Sequence, residues 1–311
     1  MKEVFSFWYS KPGFKGITKL EILCIKSWLD KGYDFVLYTY NKDDIIFNKL
    51  NELFENFKLK DANEIIPFNE LFYDVRGAGL AAFSDYFRFK KIQMGGGVWV
   101  DMDMLCLNGF EKKEYMISTE LLENKEIKIT TGFLSFPQNS SFGASLLLKA
   151  EEIINKRKLV PWGCIGPEFL AKHCNEFFDE KELKKISLDY KKSSQISYFE
   201  VQKFVLKNSV IDENEFVLHF YTEAWRQKGL KKDASYNKNC PYEKFQNRHE
   251  LKALLEKLDY KISFFDRYLS KYIYYLFYGP LNLWKRSKIR ALIRNPKRFL
   301  SLNKRRKNEC L

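Results

Sequence analysis

The chain has 311 residues, is 45% hydrophobic and 17% aromatic, and carries a formal net charge of +13. It is long and apolar enough to bury a core, which excludes a globally disordered chain. Eleven Lys/Arg and one acid, Glu309, fall in residues 281–311, leaving the first 280 residues near +3; charge confined to a tail points to an anionic surface as partner and away from a nucleic-acid-binding core.

Residues 4–9 read as a first strand, broken by the turn residues of SKPGFKG. Residues 17–31 read as a helix, with Leu20, Leu23, Cys24 and Trp28 at helical spacing and Gly32 as the stop. Residues 35–40 (FVLYTY) form a second strand, so the chain opens as a βαβ unit with a parallel sheet. A helix follows over 43–57, and another over 80–94 that ends at the glycines of GGG. Residues 98–101 read as a buried strand, 115–120 and 132–136 as further strands, and 142–156 as a helix. WGCIGPE, residues 162–168, reads as a loop entering a helix, and 216–220 as a late strand. After about residue 240 the chain turns aromatic, basic and helical in pattern. These elements predict a catalytic domain over residues 1–240 and a helical basic extension over 241–311.

Six scattered cysteines without a C-x-x-C spacing read as neither a disulfide framework nor a zinc site. MKEVFSFWYS lacks the basic and apolar regions of a signal peptide, and no run of about 18 uncharged apolar residues occurs. The expected location is the cytoplasm, with reduced thiols.

The chemistry concentrates in GGGVWVDMDM, residues 95–104. On a continuing strand, Trp99, Asp101 and Asp103 point to one face, at the carboxyl end where α/β folds place ligands. Two carboxylates so close raise each other's pKa unless a cation lies beside them. Oxygen ligands suit Mg²⁺ or Mn²⁺, ions that keep coordination places for phosphates. The pattern therefore predicts a metal holding a diphosphate. A solvated acidic turn is the plain alternative. A haloacid-dehalogenase-like phosphatase is the chemical one, with one Asp as nucleophile. A non-enzymatic module that binds membrane or nucleic acid through the basic tail is the third.

AAFSDYFRFKKIQMGGGVWVDMDMLCL, residues 81–107, closely resembles the S-D-x-x-R…G-G-x-x-x-D-x-D signature of DXD-containing sugar-nucleotide glycosyltransferases. This is the broad group around glycosyltransferase family 32, bacterial capsule-type transferases and the glucosylating clostridial toxins. VFSFWYSKP, KDANEIIP, WGCIGPEFL and HFYTEAWRQKG resemble other segments of the group in the same order, so the likeness spans roughly residues 1–230. Tyr9-Ser10 and Tyr221-Thr222 depart from the group's usual residues.

The resemblance implies a GT-A-like αβα sandwich and a metal-dependent, retaining transferase. It would move a hexose or N-acetylhexosamine from a UDP-sugar to a hydroxyl of a surface glycan such as capsule or lipooligosaccharide. It implies Asp103 as direct ligand of Mn²⁺ or Mg²⁺, Asp101 on ribose or on the metal through water, and His219 completing the metal or phosphate shell. Asp85 and Arg88, one helical turn apart, would reach sugar hydroxyls. Trp8 would stack on uracil, Gly166 and Pro167 would shape the donor pocket, and Trp225 would lie near the donor. Glu120 and Glu168 are acids for the acceptor side, whereas His173 and His249 read as core histidines. A glycan or lipid-linked glycan is the expected acceptor. The aromatic basic segments 264–278 and 284–299 are expected on an anionic membrane face; no nucleic acid is expected.

Overall fold

A computed structural model describes residues 2–74, 79–156, 160–161, 163–206 and 209–266. It opens with β1 (Glu3–Trp8), α1 (Lys19–Asp30) and β2 (Asp34–Thr39). The two strands pair in parallel along their length, Glu3 opposite Asp34 and Trp8 opposite Thr39. Both strands bury four or more consecutive residues, because helices cover both faces of the sheet. Thr18 caps α1 in a capping box with Glu21, which satisfies amides the helix start leaves unpaired. Gly32, at φ +72°, turns the chain out of that helix.

The helix expected over 43–57 is shorter, α2 (Ile45–Leu53), and is followed by an unexpected strand β3 (Phe57–Asp61). This strand pairs in parallel with β2 at the sheet edge. Its Lys58 and Lys60 alternate with Phe57 and Leu59, the period-2 pattern of a half-buried strand, short enough for a sheet edge. Next come α3 (Ala81–Gly95), β4 (Trp99–Val100), β5 (Met104–Cys106), β6 (Met116–Leu121), β7 (Ile127–Ser135), α4 (Ser141–Lys156), α5 (Pro167–Phe177) and α6 (Glu180–Ile186). The chain then forms β8 (Val217–His219), α7 (Thr222–Lys228), α8 (Pro241–Arg248) and α9 (Leu251–Lys257).

The main sheet has six strands in the order β3-β2-β1-β4-β7-β6. Only β7 runs against its neighbours β4 and β6, while β3, β2, β1 and β4 are parallel. Val4, Phe35 and Leu37 face α1 and α2 on one side. Phe5, Phe7, Val36 and Tyr38 face α3, α4 and α5 on the other. The architecture is thus the expected GT-A-like αβα sandwich around a mostly parallel sheet. Tyr242, Phe245, Leu251 and Leu254 of α8 and α9 are buried in the same cluster as α1, so the start of the expected extension packs on the sandwich. Residues 267–311, with most of the two expected membrane segments, lie outside the described residues. Among the described residues no helix is long and apolar enough to cross a membrane.

The sheet also explains where the paired aspartates go. Strand β4 stops at Val100 instead of running on through Asp101. Asp101 N donates to Gly132 O at 2.8 Å, and Met104 N closes a turn onto Asp101 O at 3.0 Å. The chain then leaves the main sheet as β5 and pairs antiparallel with β8, with Met104 opposite His219. A turn, and not strand alternation, gathers the carboxylates, and the β5–β8 register delivers the histidine.

Candidate metal centre

Asp101, Asp103 and His219 each offer a ligand atom within 4.8 Å of the others. His219 Nε2 lies 3.2 Å from Asp103 Oδ1. The other oxygen of Asp103 accepts from Thr222 N at 2.8 Å and from Thr222 Oγ1 at 2.9 Å. Burial works to raise the Asp103 pKa, but His219 and the Thr222 hydrogen bonds overcome it and hold the carboxyl well below the usual range. Burial works to lower the pKa of His219, yet Asp103 beside it carries the imidazole above its ordinary value. His219 Nδ1 is buried without a hydrogen-bond partner among the described residues. Two carboxylates and an imidazole converging in this way fit a divalent cation with borderline or oxygen preference.

Helix α3 supplies the support. Arg88 is 5% exposed, with Nη1 3.2 Å from Asp101 Oδ1 and Nη2 3.4 Å from Asp85 Oδ1. Its Nη1 also donates to Thr131 O at 2.7 Å, and its guanidinium carbon stands 4.4 Å above the Trp99 ring. Trp99 Nε1 in turn donates to Asp101 Oδ1 at 2.8 Å. The guanidinium is therefore engaged in holding two carboxylates, a rigid fork suited to that task. Burial lifts the Asp85 carboxyl to about 6, against the pull of Arg88. A Cβ on Gly166 would stand 3.0 Å from Asp85 Oδ2, so the glycine lets the loop before α5 close on that carboxylate.

A cavity of about 440 Å³ opens over these groups, lined among others by Trp8, Trp99, Asp101, Asp103, Thr222 and Lys232. Trp8 is partly exposed, and its Nε1 donates to Ser10 Oγ at 2.9 Å. The structure thus brings Trp8, Asp101 and Asp103 to one cavity, His219 to its carboxylates, and Asp85, Arg88 and Gly166 to the layer that supports them. Trp225 is placed elsewhere: it is fully buried, edge-on to Phe220 and Tyr242, and does not line the cavity. Its position two turns' reach from His219 along the chain reflects the core of α7 rather than the cavity wall.

Glu120 lies beside the centre. The Tyr221 hydroxyl sits between Ser194 Oγ, at 2.7 Å, and the Glu120 carboxylate, while the Tyr221 ring stacks on His219 at 3.8 Å. Glu168 pairs with Lys128 at 3.0 Å on the surface, its side chain 83% exposed. His173 packs under Phe142, and His249 Nδ1 meets Asp30 Oδ2 at 2.7 Å; both serve the packing of helices, as their sequence contexts suggest. Trp162 and the segment 75–78 lie outside the described residues.

Several site residues were not singled out in the sequence. Thr222 was noted only as part of a departure from the group's usual residues, with no role toward Asp103. Gly132 had one: an isolated glycine inside a strand marks a close approach. A Cβ there would stand 2.9 Å from Asp101 Oδ2, 2.6 Å from Met104 Cε and 3.4 Å from His219 Cε1. Glu21 and Lys232 are far apart in sequence, and only the fold makes them cavity residues.

Residues 18–123 match the family described as glycosyltransferase sugar-binding region containing DXD motif. No curated protein matches the sequence. Among solved structures, the chain is similar to PaToxG glycosyltransferase at 15% identity and TM-score 0.43, over 59% of this chain and 73% of that one. It is similar to apo glycosyltransferase GlyE of Streptococcus pneumoniae TIGR4 at 12% identity and TM-score 0.39, over 70% of this chain and 54% of that one. It is also similar to the UDP-bound glycosyltransferase domain from the YGT toxin at 9% identity and TM-score 0.35, over 60% and 78%.

Proposed function

From residues 18–123, a glycosyltransferase sugar-binding region containing a DXD motif, we propose that the protein is a metal-dependent, retaining hexosyl- or N-acetylhexosaminyltransferase that uses a UDP-sugar. The observation that carries this reading is the convergence of Asp101, Asp103 and His219 at a cavity of about 440 Å³ that also holds Trp8. That volume lies in the usual range for small-ligand sites. Asp101, Asp103 and His219 would hold a Mn²⁺ or Mg²⁺, which when bound would supply positive charge that favours departure of a nucleoside diphosphate. The chain's own residues prepare the rest. Thr222 and His219 keep Asp103 ionised and fixed. Arg88 and Trp99 orient Asp101. Trp8 offers an aromatic face to the base, and Asp85 stands in the supporting layer to favour positive charge on the departing sugar. The acceptor hydroxyl attacks from the face the diphosphate leaves, with the phosphate as base.

The phosphatase reading asks for a carboxylate free to attack phosphorus. Asp103 instead has its oxygens on His219 and Thr222, and Asp101 Oδ1 is held by Arg88 and Trp99; such carboxylates keep lone pairs for a cation but are restrained as nucleophiles, which favours the transferase. A glycan or lipid-linked glycan remains the proposed acceptor. The basic tail is the proposed membrane contact; Phe264 and Phe265, 70% and 50% exposed, are its described beginning. Full-length protein is expected to bind vesicles containing anionic lipid, and a chain ending after residue 266 to bind them weakly. Equal binding by both would remove the membrane role.

The test of the central reading is calorimetry with a panel of UDP-sugars, with and without Mn²⁺. The wild type is expected to bind one UDP-sugar only with metal, and Asp103→Asn to lose that binding. Absence of metal-dependent nucleotide binding in the wild type would reject the reading.

A further inference from the structure

Two other charged residues line the metal cavity, Glu21 and Lys232. Glu21 lies in the first turn of α1 and is 1% exposed. One of its oxygens accepts from Thr18 N at 2.9 Å and from the Thr18 hydroxyl, completing the capping box. Its other oxygen accepts from Lys232 Nζ, 211 residues later in the chain. The capping box is complete without the lysine. The Glu21 carboxylate is buried and its charge needs a partner; Lys232 supplies it while staying partly exposed.

The described lining of the cavity contains four acids, Glu21, Asp101, Asp103 and Glu223, and Lys232 is the one Lys or Arg among the described residues on that wall. Three of these acids are answered by cations, Asp101 by Arg88, Glu223 by Arg226 and Glu21 by Lys232, and a diphosphate in the cavity still calls for a positive group that itself faces the open space. The neighbouring cations that do not line the cavity are already engaged: Lys15 Nζ lies 2.6 Å from Asp233, and Arg226 forms a fork with Glu223 of the wall at 2.8 and 2.6 Å. The Lys232 side chain keeps 26% exposure, and its Nζ stands 5.8 Å from the centre of the Trp8 ring. It also lines an adjoining cavity of about 410 Å³, so it stands on the ridge between two open spaces. An ammonium has three N–H donors; the bond to Glu21 uses one and leaves two for a ligand.

We propose that Lys232, positioned by Glu21, is a donor-binding cation that hydrogen-bonds the diphosphate between the base on Trp8 and the Asp101–Asp103 metal wall. The inference rests on the reading of this cavity as a nucleoside diphosphate sugar site. Glu21 restrains a side chain whose free rotamers would otherwise be lost on binding. The pair therefore presents a restrained ammonium, with N–H donors to spare, to the ligand.

The test measures binding of UDP and of uridine, each with Mn²⁺, by calorimetry and ligand-observed NMR. Hydrogen bonds to charged groups predict that Lys232→Met weakens UDP about 10- to 100-fold, with uridine unchanged. Lys232→Arg is expected to retain UDP binding. Because Lys232→Met leaves Glu21 buried without its partner, the double variant Glu21→Gln/Lys232→Met serves as the folded control and is expected to show the same loss for UDP alone. Wild-type-like UDP affinity in both variants overturns the proposal, as does an equal loss of UDP and uridine, which would make the lysine a support for Trp8. If the wild type binds neither ligand, the nucleotide-sugar reading itself falls, and this inference with it.

Discussion

At the scale of residues, Arg88 joins Asp85 of the supporting layer to Asp101 of the metal wall, and is anchored on the Thr131 carbonyl. Removing it leaves two carboxylates without their cation. Arg88→Met is expected to lower folding stability by about 3 kcal/mol, read by urea denaturation, since breaking a buried pair on one side strands the other charge. Asp85 makes a second prediction. Its carboxyl is lifted from 3.8 to about 6 by burial, with Arg88 pulling down, Asp101 pushing up and Thr131 pulling down. The folded state therefore holds a proton that the unfolded chain releases, so stability falls as pH rises through the window from about 4 to 6. A shift of this size corresponds to roughly 3 kcal/mol. Urea midpoints at pH 4 and pH 7 are expected to show this slope in the wild type and to lose it in Asp85→Asn. Gly132 gives a third. A methyl group there meets Asp101 Oδ2 at 2.9 Å and Met104 Cε at 2.6 Å. Gly132→Ala is expected to weaken Mn²⁺-dependent UDP binding by about tenfold, a displacement effect of the size that small misplacements bring, with an unchanged far-UV spectrum.

At the scale of elements, helix starts follow local rules that mutation reads directly. Asp44 caps α2 by accepting from Ile46 N at 2.9 Å and Phe47 N at 3.2 Å. Asp44→Ala is expected to cost about 1 kcal/mol of stability in urea denaturation. The same locality decides which elements were legible. α1, α3 and α4 carry clear periodicity and stops, and the structure places each within two residues of its expected bounds. β3 was not expected: the helix read over 43–57 ran to its first residue, and the alternation of Phe57 and Leu59 with Lys58 and Lys60 spans only one short edge strand. β4 was read as running into Asp101, but it ends at Val100. The turn that replaces it depends on a hydrogen bond to Gly132, a partner no local pattern reveals. The reading of the D-x-D as a paired carboxylate site stood on residue type, and the route by which the pair meets differed.

At the scale of the whole molecule, α8 and α9 complete the face that α1 begins. Tyr242 is fully buried, and Leu251 and Leu254 are 1% and 4% exposed. A chain ending after residue 240 is expected to expose this face and lose cooperative unfolding, whereas one ending after residue 266 keeps Mn²⁺-dependent UDP binding; the described cavity lining runs from Ser6 to Lys232. Calorimetric melting and nucleotide titration of the two truncated chains check both outcomes.

Residue order alone determined the βαβ opening, the S-D-x-x-R helix, the glycine stop and the adjacent Asp101 and Asp103, because these depend on neighbours within a few turns of chain. Tertiary structure decided what those residues became. Thr222 reaches Asp103 across 119 positions, and Lys232 reaches Glu21 across 211. His219 arrives through the register of β5 against β8, and Trp225, near it in sequence, turns into the aromatic core. Which side chain enters a cavity and which fills a core is settled by packing between distant segments, and local periodicity carries no record of that choice.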